Sequence, residues 1–295
     1  MACCQETLGV DAIMAKVAEN QGRAEKARTA YLYKQHIVVI SRKTNGKLMC
    51  EEKTDYSVLP SESGVQKVQT RLEGRLWHKN NYVDYSQNAE DAKMVETAEQ
   101  NGVVSAHDTI SIQIPGGLLD GDLVRGFRDD IANDKTKDGI GKDLFPLTTE
   151  EQKDYQFELV GREERQGREV YRIRFRPKDR NDLTWAGEAL IDAVEFAPMS
   201  VSTKLSRRIP FLVRTLLGTD VPGLGFSVTY KRVADGLWFP VSFGTEFRLH
   251  AVFFINRSVS VSLENSDFKR AEAESTIHYQ TPPPTPSASG PPDPQ

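Results

Sequence analysis

The feature that most constrains this chain is an alternation of apolar and polar residues that recurs between tight turns. It is clearest in the segment containing Trp185, Gly187, Ala189 and Ile191, which fall on one face, whereas the residues between them fall on the other. Because successive side chains of a pleated strand point to opposite faces, this segment predicts a strand with one apolar and one solvated face. Asp192 to Pro198 supplies a turn, after which the alternation resumes and predicts a second strand.

The same pattern recurs through the second half of the chain. Residues 237–249 carry the longest alternating face, and Ile173 and Phe175 alternate with arginines that we expect to face water. Asn45-Gly46 and Asp235-Gly236 are typical of two-residue hairpin turns. Because the joins are short and no crossover connections are visible, about ten strands are predicted to form one antiparallel sheet.

Two segments have helical spacing instead. Residues 11–30 predict an amphipathic helix with an apolar stripe through Ile13, Met14 and Val17, and residues 118–132 predict a second helix. The fold class is therefore mainly β with α. The stripe of the second helix is expected at residues spaced by four: Leu119, Leu123, Phe127 and Ile131.

A twisted antiparallel sheet of this size tends to curl, and two helices are available to cover its apolar side. The pattern leaves two arrangements open. The sheet closes into a filled barrel or sandwich, or it forms an open half-barrel with two helices on its concave side and an apolar cavity. Gly187 and Ala189 are small where their neighbours are large, which predicts room at the centre of the sheet.

Composition argues against several classes of function. The 295 residues carry 38 lysines and arginines against 42 aspartates and glutamates, and this near balance argues against nucleic acid as a main partner. No apolar run reaches the roughly 18 residues that a transmembrane helix needs. The three cysteines show no paired spacing, so neither a disulfide framework nor a zinc site is expected.

No catalytic or metal-binding motif stands out. The sequence has no HExxH, GxSxG or phosphate-loop motif, and its five histidines are scattered, so we expect no enzyme activity, no catalytic residue and no cofactor. The nearest metal signal, at residues 134–139, begins like a calcium loop, but Phe145 stands in the place of the bidentate glutamate. We therefore expect no metal site.

The chain divides into three parts. Residues 1–10 are an N-terminal extension without the basic region and apolar core of a signal peptide. Residues 11–270 are predicted to form one domain, with an insertion at 88–143. Residues 271–295 are rich in proline and are predicted to be a disordered tail.

A resemblance to a known family favours one of the two sheet arrangements. The motifs that carry it are Trp185-x-Gly187 with Ile191-Asp192 and Pro198, followed by Asp235-Gly236-x-Trp238-x-Pro240. They resemble the carboxy-terminal half of outer-membrane lipoprotein-sorting proteins of the Lol carrier type, and the order of one amphipathic helix followed by long strands is also similar. The resemblance implies an open half-barrel whose hydrophobic cavity shields acyl chains in the periplasm, without covalent chemistry.

Under this resemblance the predicted function is non-catalytic binding and transport of an acyl chain, lipid or lipoprotein in an apolar cavity of the cell envelope or periplasm. The expected partner is a lipid or an acylated protein, and a further envelope protein is a second candidate. The alternative is a structural or protein-interaction module of the envelope with a fully packed interior. The candidate cavity residues are Trp185, Ile191, Ile173, Phe175, Phe239, Phe243 and Phe247.

One apolar segment, residues 210–226, interrupts the alternation. It predicts a mobile flap over the cavity mouth or a patch that contacts a membrane or a partner. The alternative is a short helix or strand buried against the sheet. The candidate contact residues are Phe211, Leu212, Leu216, Leu217 and Leu224.

Overall fold

The computed structural model describes most of the predicted domain. Predictions made for the proline-rich tail and for most of the insertion and of the apolar segment 210–226 lie outside the described residues. The described residues are 8–61, 64–88, 119–133, 148–179, 185–205, 219–220, 224–233, 236–251 and 255–271.

Three helices and twelve strands lie within these ranges. The helices are α1, Val10–Arg28; α2, Leu119–Asn133; and α3, Thr149–Gln152. The strands are β1, Tyr31–Lys43; β2, Leu48–Ser61; β3, Gly64–His78; β4, Asn81–Asn88; β5, Tyr155–Arg165; β6, Arg168–Pro177; β7, Trp185–Asp192; β8, Pro198–Leu205; β9, Thr219–Asp220; β10, Gly225–Arg232; β11, Trp238–Ala251; and β12, Ile255–Arg270.

All twelve strands belong to one sheet, and every pairing between them is antiparallel. The strand order is β4-β3-β2-β1-β12-β11-β10-β8-β7-β6-β5, and the two-residue β9 pairs with the end of β11. Among the described residues, the outermost strands β4 and β5 pair with one neighbour each, so the sheet is open. The prediction of a mainly β fold with one curled antiparallel sheet, open rather than closed, is confirmed.

The register places the apolar side chains of neighbouring strands on one face. Phe175 lies opposite Gly187, and Gly187 lies opposite Thr203. On the other face Arg174 donates a hydrogen bond to Glu158 over 3.1 Å, so the arginines of β6 face water as predicted. We call the face that carries Phe175 the inner face, and the face that carries Arg174 the outer face.

Both long helices pack on the inner face, but over different strands. Ile13, Met14 and Val17 of α1 are buried against β6, β7 and β8. α2 contacts β1, β2 and β3, and its Val124 is fully buried in the cluster formed with those strands. The prediction of two helices on the concave side of the sheet is therefore confirmed, and each helix covers one part of it.

Within the described part of the chain, no helix combines the length and the apolar character needed to cross a bilayer.

Candidate functional site

Three aromatic side chains form a row across the inner face. Trp185 of β7 packs edge-to-face on Phe226 of β10, with 4.7 Å between ring centroids, and Phe226 stacks on Phe243 of β11 at 5.8 Å. Phe226 is buried, whereas Trp185 and Phe243 are half-buried. We call these three residues the aromatic row.

The aromatic row lies between the parts of the inner face that α1 and α2 cover. Trp185 and Phe243 pack at the margin of the cluster that contains Val124 of α2, and the half-buried Leu224, two residues before Phe226, packs against the same cluster. Aromatic contacts of this geometry are favourable beyond the area that they bury. The row and its aliphatic neighbours are thus an apolar surface that the described helices leave partly uncovered.

Most of the predicted cavity residues lie in packed core rather than in this row. Ile173, Phe175 and Ile191 are fully buried in the cluster beneath α1. Phe247 is buried, and its ring lies 5.5 Å from that of Phe127 in α2. Side chains held in this way are part of the core, so their proposed contact with a ligand remains a prediction.

Phe239 is also packed. Its ring lies 5.2 Å from the ring of Tyr31 and 4.6 Å from that of Phe268, and the Arg28 guanidinium lies over it. Of the seven predicted residues, the structure therefore brings two together in the aromatic row, Trp185 and Phe243. The sequence prediction did not include Phe226, which joins them, although Phe226 lies on an alternating strand face.

Of the predicted contact residues in the apolar segment, only Leu224 is described. It is half-buried, and its backbone carbonyl accepts a hydrogen bond from Leu205 N over 3.1 Å. It lies immediately before β10, beside the aromatic row. The other four lie outside the described residues: Phe211, Leu212, Leu216 and Leu217.

A buried ion pair fixes the centre of α2 to the sheet. Arg128 Nη1 donates to Glu52 Oε2 of β2 over 2.9 Å, and both side chains are almost completely buried. Tyr85 of β4 donates its hydroxyl to Glu52 Oε1 over 2.6 Å. Burial and then the Glu52 carboxylate raise the pKa of Tyr85, so the phenol keeps its proton and remains a donor.

A second ion pair fixes the start of α2. Arg257 of β12 donates to the two oxygens of Asp120 over 2.6 and 2.8 Å, which is the bidentate geometry of a guanidinium–carboxylate pair. Ser41 of β1 donates to the same carboxylate over 2.7 Å. α2 is thus attached at two points by charged groups as well as by its apolar stripe.

The buried side of α2 is wider than the predicted stripe, of which Leu123, Phe127 and Ile131 are half-buried and pack against the core cluster. Leu119 is 45% exposed, whereas Asp120, Val124 and Arg128 are buried. These three residues are spaced by four and lie on one side of the helix. The sequence does not reveal this buried side of the helix, because two of its three residues are charged, and aspartate and arginine are rarely buried unless they are paired.

The residues that carry the family resemblance form a structural cluster at the β7–β8 turn. Asp192 Oδ1 accepts hydrogen bonds from the backbone N–H groups of Val194 and Glu195, and its other oxygen is paired with Arg168. Glu195 accepts from Arg168 over 2.9 Å and from Trp238 Nε1 over 2.6 Å. Glu195 therefore connects the β7–β8 hairpin to Trp238 at the start of β11, in the β10–β11 hairpin.

Gly187 does not provide room at the centre of the sheet. A Cβ atom at this position would lie 2.0 Å from the backbone oxygen of Ser202 on β8. Only glycine permits so close an approach of the neighbouring strand. The prediction that its small size leaves space for a ligand is wrong, because the adjacent backbone occupies that space.

A groove of about 530 Å³ lies at the open edge formed by β5. It is bordered by Met14 and Phe157 together with charged and amide side chains of β5 and β6. Its polar groups bind one another, because Arg174 donates to Glu158 and Arg176 donates to Gln156. This groove is solvated and lies away from the aromatic row.

Within the described ranges, no three side chains of histidine, cysteine, aspartate or glutamate are grouped so as to hold a metal ion. His36 lies on the outer face, where its Nδ1 is 2.5 Å from Asp55 Oδ1. Burial raises the pKa of Cys50 to about 12, so this thiol is protonated at neutral pH.

No family model matches the chain. No curated protein matches it either. Several solved structures are similar to it. One is a domain of an outer membrane lipoprotein-sorting protein from Vibrio parahaemolyticus, with 13% identity, coverage of 90% of this chain and 95% of that chain, and a TM-score of 0.35.

A LolA superfamily protein from Nitrosomonas europaea is similar at 11% identity, over 90% of this chain and 96% of that chain, with a TM-score of 0.34. The lipoprotein LppX from Mycobacterium tuberculosis is similar at 10% identity, over 88% and 96% of the two chains, with a TM-score of 0.26.

Proposed function

We propose that this protein binds an acyl chain, lipid or lipoprotein non-covalently in the cell envelope and holds the chain against the aromatic row. One observation carries the proposal. Trp185 and Phe243 are half-buried on the inner face of an open sheet, at a place between the two long helices. The envelope location and the acyl class of ligand are what the sequence motifs imply.

The physical basis is the transfer of hydrocarbon from water to an apolar surface. Each buried methylene group of an acyl chain contributes about 0.8 kcal/mol. A chain that covers Trp185, Phe243 and the nearby Leu224 also removes the exposed parts of those side chains from water. Such binding needs no nucleophile, metal or cofactor, and release requires only a competing apolar environment.

The test is uptake of a fluorescent acyl probe by delipidated protein. The wild type is expected to take up the probe saturably. Phe243→Asp is expected to abolish uptake, because it places a carboxylate in the apolar contact. Trp185→Ala is expected to weaken uptake at least tenfold by removing contact area, since about 1.4 kcal/mol is a factor of ten.

Val194→Asp is the matched control, because it introduces the same carboxylate in place of an apolar side chain that is 77% exposed in the β7–β8 turn. It is expected to bind the probe as the wild type does. Circular dichroism and thermal unfolding report whether each variant is folded. Unaltered affinity of folded Phe243→Asp and Trp185→Ala would remove the aromatic row as the site.

A second candidate function is a structural or protein-interaction module of the envelope. The observation that favours it is the complete burial of Ile173, Phe175 and Ile191 beneath α1. A module of this kind needs no ligand cavity. It predicts no saturable uptake of any acyl probe by the folded wild type.

A further inference from the structure

Two hairpin turns lie side by side at one end of the sheet. They belong to β1–β2 and β3–β4, and they are adjacent because β2 pairs with both β1 and β3. Arg42 lies opposite Leu48, and Cys50 lies opposite Leu76, so the two turns end at similar positions along the strand direction. We call residues 42–48 and 77–82 the tip surface.

The tip surface is basic, although the chain as a whole has a net charge of −4. It contains no aspartate or glutamate. The carboxylate that follows it, Asp84, is occupied by two hydrogen bonds from Arg75, at 2.6 and 3.1 Å. The four basic residues of the tip surface are Arg42, Lys43, Lys47 and Lys79.

Aromatic side chains lie among these charges. The rings of Trp77 and Tyr82 meet edge-to-face with 4.9 Å between centroids, and Lys47 Nζ lies 3.4 Å from the centroid of the Trp77 ring. Tyr82 is 43% exposed, and the adjacent Val83 is 38% exposed. Trp77 and Tyr82 lie opposite each other on the outer face, because the neighbouring pair of Leu76 and Val83 faces inward, so the two rings contribute little to the core of the sheet.

The two turns are tight. Gly46 has φ +85°, and Lys79 and Asn80 have φ +44° and +70°. Two successive positive φ values are typical of the type I′ turn, whose twist matches that of the flanking strands. The basic and aromatic side chains are therefore carried on short, well-defined turns rather than on long loops.

We propose that the tip surface binds an anionic lipid bilayer. Tryptophan and tyrosine have an apolar body and a polar end, which suits the boundary between acyl chains and head groups. Lysines beside them reach lipid phosphates, and their long stems lie along the apolar surface. This inference goes beyond the proposed acyl binding and stands on the tip surface alone.

Vesicle sedimentation tests the proposal with the full chain and without an acyl ligand. The protein is expected to bind vesicles of equimolar phosphatidylcholine and phosphatidylglycerol, and to bind vesicles of phosphatidylcholine alone much more weakly. Each basic residue near an anionic surface contributes about fivefold to partitioning. The triple variant Lys43→Glu, Lys47→Glu and Lys79→Glu is therefore expected to lose binding by at least about a hundredfold.

The matched control places the same three charge reversals at exposed lysines at the opposite end of the sheet and on α1. It is the variant Lys26→Glu, Lys231→Glu and Lys269→Glu, which is expected to lose much less binding. A separate variant, Trp77→Ala with Tyr82→Ala, is expected to bind more weakly while keeping the salt dependence that the lysines give.

Equal losses in the two triple variants would overturn the proposal, because they would show a response to net charge and not to the tip surface. Binding that does not depend on phosphatidylglycerol, or no binding to either kind of vesicle, would also overturn it. Circular dichroism establishes that each variant is folded. None of these outcomes involves the acyl probe, so failure here is distinguishable from failure of the proposed function.

Discussion

At the scale of single residues, Asp192 determines the shape of the β7–β8 turn. Its side chain is 1% exposed, and it accepts two backbone hydrogen bonds in addition to its ion pair with Arg168. Burial raises the pKa of Asp192, but Arg168 and the N–H groups of Glu195 and Val194 outweigh burial, and the net pKa lies below the usual 3.8. The carboxylate is therefore stabilising in its charged form.

Asp192→Asn is expected to lower the free energy of unfolding by about 2 kcal/mol at neutral pH, because the ion pair is lost and a buried acceptor is weakened. A pKa lowered by folding stabilises the protein above the unfolded pKa, and this contribution disappears as pH falls through the folded pKa. The difference between wild type and variant should shrink as the pH falls below about 4. Urea unfolding at a series of pH values measures it.

The matched control is Asp84→Asn. The pKa of Asp84 is also lowered by a hydrogen-bonded arginine, but this pair is exposed on the outer face. Solvent screens such pairs, so little change in stability is expected. A constant difference between Asp192→Asn and wild type across the acid range would contradict the assignment of Asp192 as a charged structural group.

Residue by residue, the sequence predicted best where a turn or an alternating face was involved. Local patterns alone predict Asp192 in a turn and Trp185 and Phe243 on the inner face. They do not predict the pairing of Glu52 with Arg128, because it joins a strand to a helix far along the chain. One signal of a buried ion pair is present in the sequence: Glu52 is charged, yet it occupies an inward position between Cys50 and Thr54.

At the scale of elements, α2 depends on charged contacts to an unusual degree. Glu52 and Arg128 are both almost completely buried, and Asp120 is paired with Arg257. Removing one member of a buried pair leaves an unpaired charge, which costs about 3 kcal/mol or more. Replacing both members with uncharged groups costs much less.

Arg128→Met is therefore expected to destabilise the packing of α2 by about 3 kcal/mol and to speed hydrogen exchange of its amides. Adding Glu52→Gln to this variant is expected to restore part of the stability. Arg125→Met is the control, because the Arg125 ion pair with Asp122 is more exposed. A double variant less stable than Arg128→Met would contradict the explanation by an unpaired buried charge.

The register of elements shows why pattern alone is insufficient. Alternation predicts Val68 and Leu72 on one face of β3, but a register shift between them reverses the faces. Lys67 consequently points inward, and its Nζ donates to Ile131 O of α2 over 2.7 Å. A β-bulge adds one residue to one strand, and the pairing that defines it is not visible in a single segment.

At the scale of the whole molecule, the short turns predicted the antiparallel sheet, and alternation predicted its single apolar face. The strand order, in which β12 joins the two halves of the sheet, required long-range pairing that no local pattern contains. The sequence also does not predict which inward-facing side chains a helix covers. Phe175 and Phe243 both occupy inward alternating positions, yet α1 covers the first and leaves the second half-buried.

The central claim is that an acyl chain lies against the aromatic row. The most direct measurement is photolabelling of the delipidated protein with a fatty acid that carries a diazirine on its chain, followed by mass spectrometric mapping of the modified residues. Labels are expected on Trp185, Phe243 and the adjacent Leu224, with competition by unlabelled fatty acid. Labels confined to outer-face residues, or labelling that excess fatty acid does not reduce, would contradict it.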